Sequence, residues 1–100
     1  MPATRAMAAA LDLLGRRWAM RLVWELRRDP LGFGDLRDRT QISPSVLSTR
    51  LGELRDAGVL EQDPAGRYRL TGAGRELARL LYEINRWAES ARVSSQRERA

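Results

Sequence analysis

The apolar positions of this chain change their spacing several times, and each change marks an element. Over residues 4–14, Met7, Leu11 and Leu14 fall on one side of a helix with Ala8, Ala9, Ala10 and Leu13 beside them. Residues 32–40 predict a helix of about one and a half turns with Phe33 and Leu36 as its apolar contacts, followed by a brief turn at Gln41 and Ile42. From Pro44 onward, Leu47, Leu51 and Leu54 repeat at helical spacing. Ser43 is a capping residue for the free amides of that helix, Pro44 suits its first position because no N–H partner is lost there, and Gly58 ends the run. Residues 59–62 and 67–71 then alternate as two short strands around Asp63-Pro64-Ala65-Gly66, whose proline and glycine favour a turn. A last helix over 71–92 carries Leu77, Leu80, Leu81, Ile84, Trp87, Ala88 and Ala91 at three- and four-residue steps.

Two short helices followed at once by a hairpin outline a winged helix-turn-helix, a mainly α fold with a short β wing. With Leu47, Leu51 and Leu54 turned inward, the helical period places Ser45, Thr49 and Gly52 on the opposite face, flanked by Ser48 and Arg50. A helix lying in a major groove needs such short hydroxyl side chains, which reach base edges without holding the backbone away. That assigns base reading to Ser45, Ser48 and Thr49, and phosphate contact to Ser43 and Arg50. In the wing, Tyr68 and Leu70 share the face packed on the helices. Arg67 and Arg69 project outward, either to phosphates and a minor groove or simply into solvent.

One domain is expected over residues 1–91, with a polar, unpatterned tail at 92–100 that reads as disordered. A small winged unit covers one side of each terminal helix but not both. The surplus of apolar residues points to a homodimer, with Met7, Leu11, Leu14, Leu77, Leu81, Ile84 and Trp87 at its interface. Intrachain packing is the alternative use for part of that stripe. Two terminal helices from each protomer around a twofold axis would set the reading helices one DNA turn apart, roughly 34 Å.

The formal net charge of +5 suits a polyanionic partner. Its distribution is less simple. Between residues 33 and 70, six arginines (Arg37, Arg39, Arg50, Arg55, Arg67, Arg69) face six acids (Asp35, Asp38, Glu53, Asp56, Glu61, Asp63), so binding depends on which face each charge occupies. The surplus lies at Arg16, Arg17, Arg21, Arg27 and Arg28 and in the last third of the chain. Arg16 and Arg17, at the expected start of a further helix between the first and the one at 32–40, are placed to hold a phosphate together with backbone amides.

Histidine, cysteine and lysine do not occur, which removes the usual nucleophile and base pairs, the common metal ligands and Schiff-base chemistry. Gly72-Ala73-Gly74 lacks the lysine and spacing of a nucleotide loop. Neither an enzyme, a cofactor nor a metal is expected. Trp18, Trp24, Tyr82 and Trp87 are candidates to line a pocket for a small aromatic effector, core packing being their other use. No segment is long and apolar enough to span a bilayer, and Met1-Pro2-Ala3-Thr4 lacks the features of a secretory signal, so a cytoplasmic protein with no membrane partner is expected.

Over about residues 5–91 the order of parts resembles the HxlR-type winged helix regulators, which are related to MarR proteins. The resemblance is carried by Ala10-Leu11-Asp12-Leu13-Leu14-Gly15-Arg16-Arg17-Trp18, by Phe33-Gly34-Asp35-Leu36-Arg37, by Ile42-Ser43-Pro44 with Val46-Leu47 and Arg50-Leu51, and by Tyr68-Arg69-Leu70-Thr71 running into Gly74. It implies a dimeric bacterial transcription factor that binds specific double-stranded DNA in the cytoplasm under control of a signal, with repression at a palindromic operator as the expected outcome. Three features depart from the family pattern. Where members commonly carry a cysteine near the start, this chain has Arg5, so thiol sensing within these residues is excluded. Ser45 and Thr49 stand where a basic residue and a glutamine are common, and the wing is shorter than usual. The competing use of the same fold is a protein-interaction module without DNA specificity, which salt dependence would separate from DNA binding.

Overall fold

A computed structural model describes residues 4–91, so the tail expected at 92–100 lies outside the described residues. Helix α1 (Arg5–Leu14) starts at Thr4, whose hydroxyl accepts a hydrogen bond from the Met7 amide at 3.0 Å. None of its residues is buried, and Leu13 is its partly covered contact with the core. Helix α2 (Ala19–Glu25) begins later than expected. Arg16 and Arg17 therefore lie in the turn between α1 and α2 rather than at a helix start. The helix does not extend back to them because Trp18 adopts φ 78°, a left-handed backbone incompatible with a right-handed turn.

Helix α3 (Phe33–Thr40) opens with the Asp35 carboxylate accepting from the Gly32 amide at 3.3 Å and ends where Gln41 turns left-handed at φ 60°. Thr40 is buried yet satisfied: its hydroxyl donates to the Leu36 carbonyl at 2.7 Å and accepts from the Ile42 amide at 3.3 Å. Helix α4 (Pro44–Asp56) buries Leu47, Leu51 and Leu54 as the spacing predicts. The expected Ser43 cap does not form, because its hydroxyl bonds no helix amide. Pro44 removes one of the free donors, and the Ser43 carbonyl takes the Leu47 amide at 2.9 Å. After the helix, Gly58 supplies the positive φ of 76°.

Strands β1 (Leu60–Gln62) and β2 (Tyr68–Leu70) pair antiparallel, with Leu60 opposite Leu70 and Glu61 opposite Arg69. Leu31 adds a bridge to the free edge of β2, exchanging both backbone bonds with Tyr68. Helix α5 (Gly72–Ser90) is capped by Thr71, whose hydroxyl accepts from the Gly74 amide at 3.2 Å. Gly74 lets α5 approach the wing closely, since a Cβ there would lie 2.2 Å from the Val59 carbonyl oxygen.

The core gathers Leu22 and Val23 from α2, Leu36 from α3, the three α4 leucines, Leu60 and Leu70 from the wing, and Ala78 and Leu81 from α5. Leu81, expected at a dimer interface, is instead closed in by its own chain, and Leu77 is partly so. The reason is helical phase: Gly74, Ala78 and Leu81 form the inner stripe of α5 with Leu77 at its margin, while Ile84, just outside that margin, and Leu80 and Trp87, farther round, stay more than half exposed. Met7 and Leu11 on α1 are equally open, whereas Leu14 is half-buried. No helix among the described residues is long and apolar enough to cross a membrane.

Candidate nucleic-acid interface

Burial of the three leucines fixes the outer face of α4, and Ser43, Ser45, Ser48 and Thr49 are all exposed on or beside it. The first turn of the helix contains no acid. The Thr49 hydroxyl donates back to the Ser45 carbonyl at 3.0 Å, a local bond that uses its hydrogen. What Thr49 can still offer a ligand is an acceptor oxygen and a methyl group. In a major groove these match the exocyclic amine of cytosine or adenine and the methyl of thymine.

Arg50 occupies a different position from the one its length suggested. Its Nε donates to the Arg17 carbonyl at 2.8 Å and its Nη1 to Glu53 Oε1 at 2.9 Å, and the side chain is largely covered. Arg16 reaches the same carboxylate from the other side, donating through Nη1 to Glu53 Oε2 and through Nη2 to Asp12 at 2.9 Å. The hydrogen bond to Asp12, then the charge of Glu53, raise the Arg16 pKa further above its already high value. Two of the arginines expected on phosphates are thus drawn into a network that joins α1, the turn after it and α4. Arg17 is exposed, and its guanidinium sits 4.7 Å above the Trp18 ring without a carboxylate partner among the described residues.

In the wing, Asp63 is buried at the turn. Burial disfavours its charge. The amide and guanidinium of Arg67 and the amide of Ala65 nevertheless outweigh that cost and hold the carboxyl below its ordinary range, with bonds of 2.9 to 3.0 Å. Arg67 is therefore oriented from its own turn while its outer end stays exposed. Arg69 pairs with Glu61 across the strands at 2.7 Å, an open pair worth little on its own and easily exchanged for a phosphate.

The four aromatic residues do not form one pocket. Trp24 and Tyr82 meet edge to face at a centroid distance of 5.1 Å, the sole aromatic pair among the described residues. Trp18 is at the other end of α2. Trp87 lies five residues from Tyr82 on α5, on a different side of the helix, beside Glu83, Arg86 and Ser90. What α2 and α5 do form is an apolar hollow of about 310 Å³, lined by Met20, Trp24, Leu81, Ile84 and Ala88 with Arg21 and Asn85 at its edge.

The family model for HxlR-like helix-turn-helix proteins matches residues 13–96. The chain belongs to the HxlR-like helix-turn-helix family. It is 35% identical over 86 residues to the uncharacterized HTH-type transcriptional regulator YvaP of Bacillus subtilis, an alignment covering 79% of this chain and 80% of the relative. To the uncharacterized HTH-type transcriptional regulator Rv3095 of Mycobacterium tuberculosis it is 30% identical over 90 residues, spanning 84% of this chain but 57% of that longer protein. The crystal structure of quinone-bound YodB from B. subtilis superposes with a TM-score of 0.80 at 29% identity, covering 88% of this chain and 99% of that one. The fold is the winged helix of the HxlR and MarR regulators, and the protein is a transcriptional regulator of HxlR type.

Within this HxlR-type regulator, two residues at the interface escaped the sequence reading. Glu53 counted there only as one acid among six, although its i,i+3 spacing from Arg50 is the signal that could have exposed the pair. Asp63 read as a turn residue, and its burial against Arg67, four residues on, is set by the tightness of the wing.

Proposed function

We propose that this HxlR-type regulator binds duplex DNA as a homodimer, reads a palindromic operator with α4, and represses the promoter that contains it. The observation that carries this reading is the outer face of α4, where Ser45, Ser48 and Thr49 stand exposed with no acid in the first turn. Ser45, Ser48 and Thr49 read base edges, while Ser43, Arg17, Arg67 and Arg69 hold phosphates. Arg16 and Arg50 act one step back, holding α4 against the turn after α1.

The exposed stripes of α1 (Met7, Leu11) and α5 (Leu80, Ile84, Trp87) support the twofold contact, because paired helices would remove them from water. Repression fits a dimer of this size, which has little surface left for recruiting polymerase. The hollow between α2 and α5 is the place for a flat apolar effector, held without a bond to sulfur because these residues contain no cysteine.

The test of base reading is to replace Ser45, Ser48 and Thr49 together by alanine and compare binding to the preferred duplex and to a scrambled one of equal length. Loss of the preference with retention of salt-dependent affinity supports the assignment. Undiminished preference contradicts it.

A further inference from the structure

At the base of the wing the fold collects positive charge that neither the core nor the face of α4 uses. The end of α2 and the loop after it, β2 and the first turns of α5 enclose a cavity of about 200 Å³ lined by Arg27, Arg28, Arg69 and Arg75, with Asp29 as the one acid in its wall. Glu61 neutralises Arg69. No carboxylate among the described residues pairs with Arg27, Arg28 or Arg75, and Asp29 itself pairs with none of them. Arg75 spends one donor on the Leu70 carbonyl at 3.1 Å, and Arg27 one on the Trp24 carbonyl at 2.9 Å. The Nε of Arg27 is buried without a hydrogen-bond acceptor among the described residues, its guanidinium lying 4.0 Å from the centre of the Trp24 ring.

Guanidinium groups crowded together without anions repel one another, and a covered donor without an acceptor costs free energy. An oxyanion relieves both, since its oxygens accept the forked N–H pairs that guanidinium presents. The same field already acts on a neighbour, because the guanidinium groups of Arg27 and then Arg28 lower the Tyr82 phenol below its ordinary range. The volume is several times the roughly 30 Å³ of a water molecule and smaller than the ~300 Å³ at which pockets for drug-sized ligands begin. Leu26, Pro30 and Leu70 give the cavity an apolar wall that suits a short carbon stem.

We propose that this cavity is a binding site for a small free oxyanion, a phosphate group or a short carboxylate, which shares only Arg69 with the residues proposed to hold DNA. None of its lining residues comes from α4 or from the wing turn at 63–66. It joins a wing strand to α5, so an occupant fixes the wing base against the helix that carries the exposed apolar stripe.

The test is calorimetric titration of the full chain with inorganic phosphate, and separately with acetate, at constant pH and ionic strength against a chloride control. Saturable binding that weakens about tenfold in Arg28→Ala and in Arg75→Ala, and stays unchanged in Arg79→Ala on the open side of α5, is the expected result. Arg28 is exposed, so its removal leaves the core intact. No saturable heat with either anion, or saturable heat indifferent to Arg28 and Arg75, overturns the site. A lowered salt slope for duplex DNA in Arg28→Ala, with no binding of free anion, also overturns it and makes the cluster a DNA backbone contact. The titration contains no DNA, so its outcome is independent of the operator reading.

Discussion

The Nε of Arg50 donates to the carbonyl of Arg17 at 2.8 Å, which fastens the middle of α4 to the turn that follows α1. Glu53 sits between Arg50 and Arg16 and closes the link. An arginine on the proposed reading helix is thereby already engaged by its own protein.

Arg50→Ala is therefore expected to lower stability by about 1 kcal/mol through the lost hydrogen bonds, and to weaken all duplexes alike without altering the salt slope. Binding measured from low to high salt, alongside thermal melts, checks this. A slope reduced by about one would place Arg50 on a phosphate instead.

Gly74 separates close helix–wing packing from mere helix propensity. Alanine is the better helix former, yet its Cβ would lie 2.2 Å from the Val59 carbonyl oxygen. Gly74→Ala is expected to destabilise by about 1–3 kcal/mol, as overpacking does. A melting temperature equal to or above that of the parent would show that α5 can move away freely.

Asp63 predicts a pH dependence with a definite sign. Its folded-state pKa is depressed below the ordinary 3.8, so its contribution is present above that value and is lost as the pH falls through the depressed one. Asp63→Asn should melt at lower temperature than the parent at pH 7, and the gap should narrow in acid, as melts at pH 7 and about pH 3 would show. A gap of the same size at both pH values would mean that the wing turn does not depend on the carboxylate charge.

Leu11 and Leu81 distinguish the proposed surface between subunits from the core. Leu11→Glu, at an exposed position, should halve the sedimenting mass with the fold retained. Leu81→Ala should cost about 2–5 kcal/mol in stability without a specific effect on assembly, because its own chain already buries it. A parent protein that sediments as a monomer at working concentration would contradict the dimer.

The helices and hairpin were legible because their signals are local: a leucine period in α4, a proline at its first turn, and proline and glycine in the wing turn. Side-chain commitments were not, because they depend on elements distant in sequence. Arg16 and Arg50 read as free cations until the fold placed Glu53 between them. Leu81 and Ile84 both belonged to one apolar pattern, and only the packing of α5 on α2 and the wing separates the buried stripe from the open one. The left-handed backbone of Trp18, which delays the start of α2, carries no sequence signal of the kind a glycine gives. The four aromatics failed as a pocket for a simpler reason, since five residues along α5 do not return to the same face.

Selection of bound duplexes from a random double-stranded pool, with the enriched sequence rebound across a salt series, decides whether the protein reads an operator. A palindromic sequence with half-sites about one helical turn apart, bound with a steep salt slope, is the expected result. No enrichment, with weak binding indifferent to salt, would contradict it.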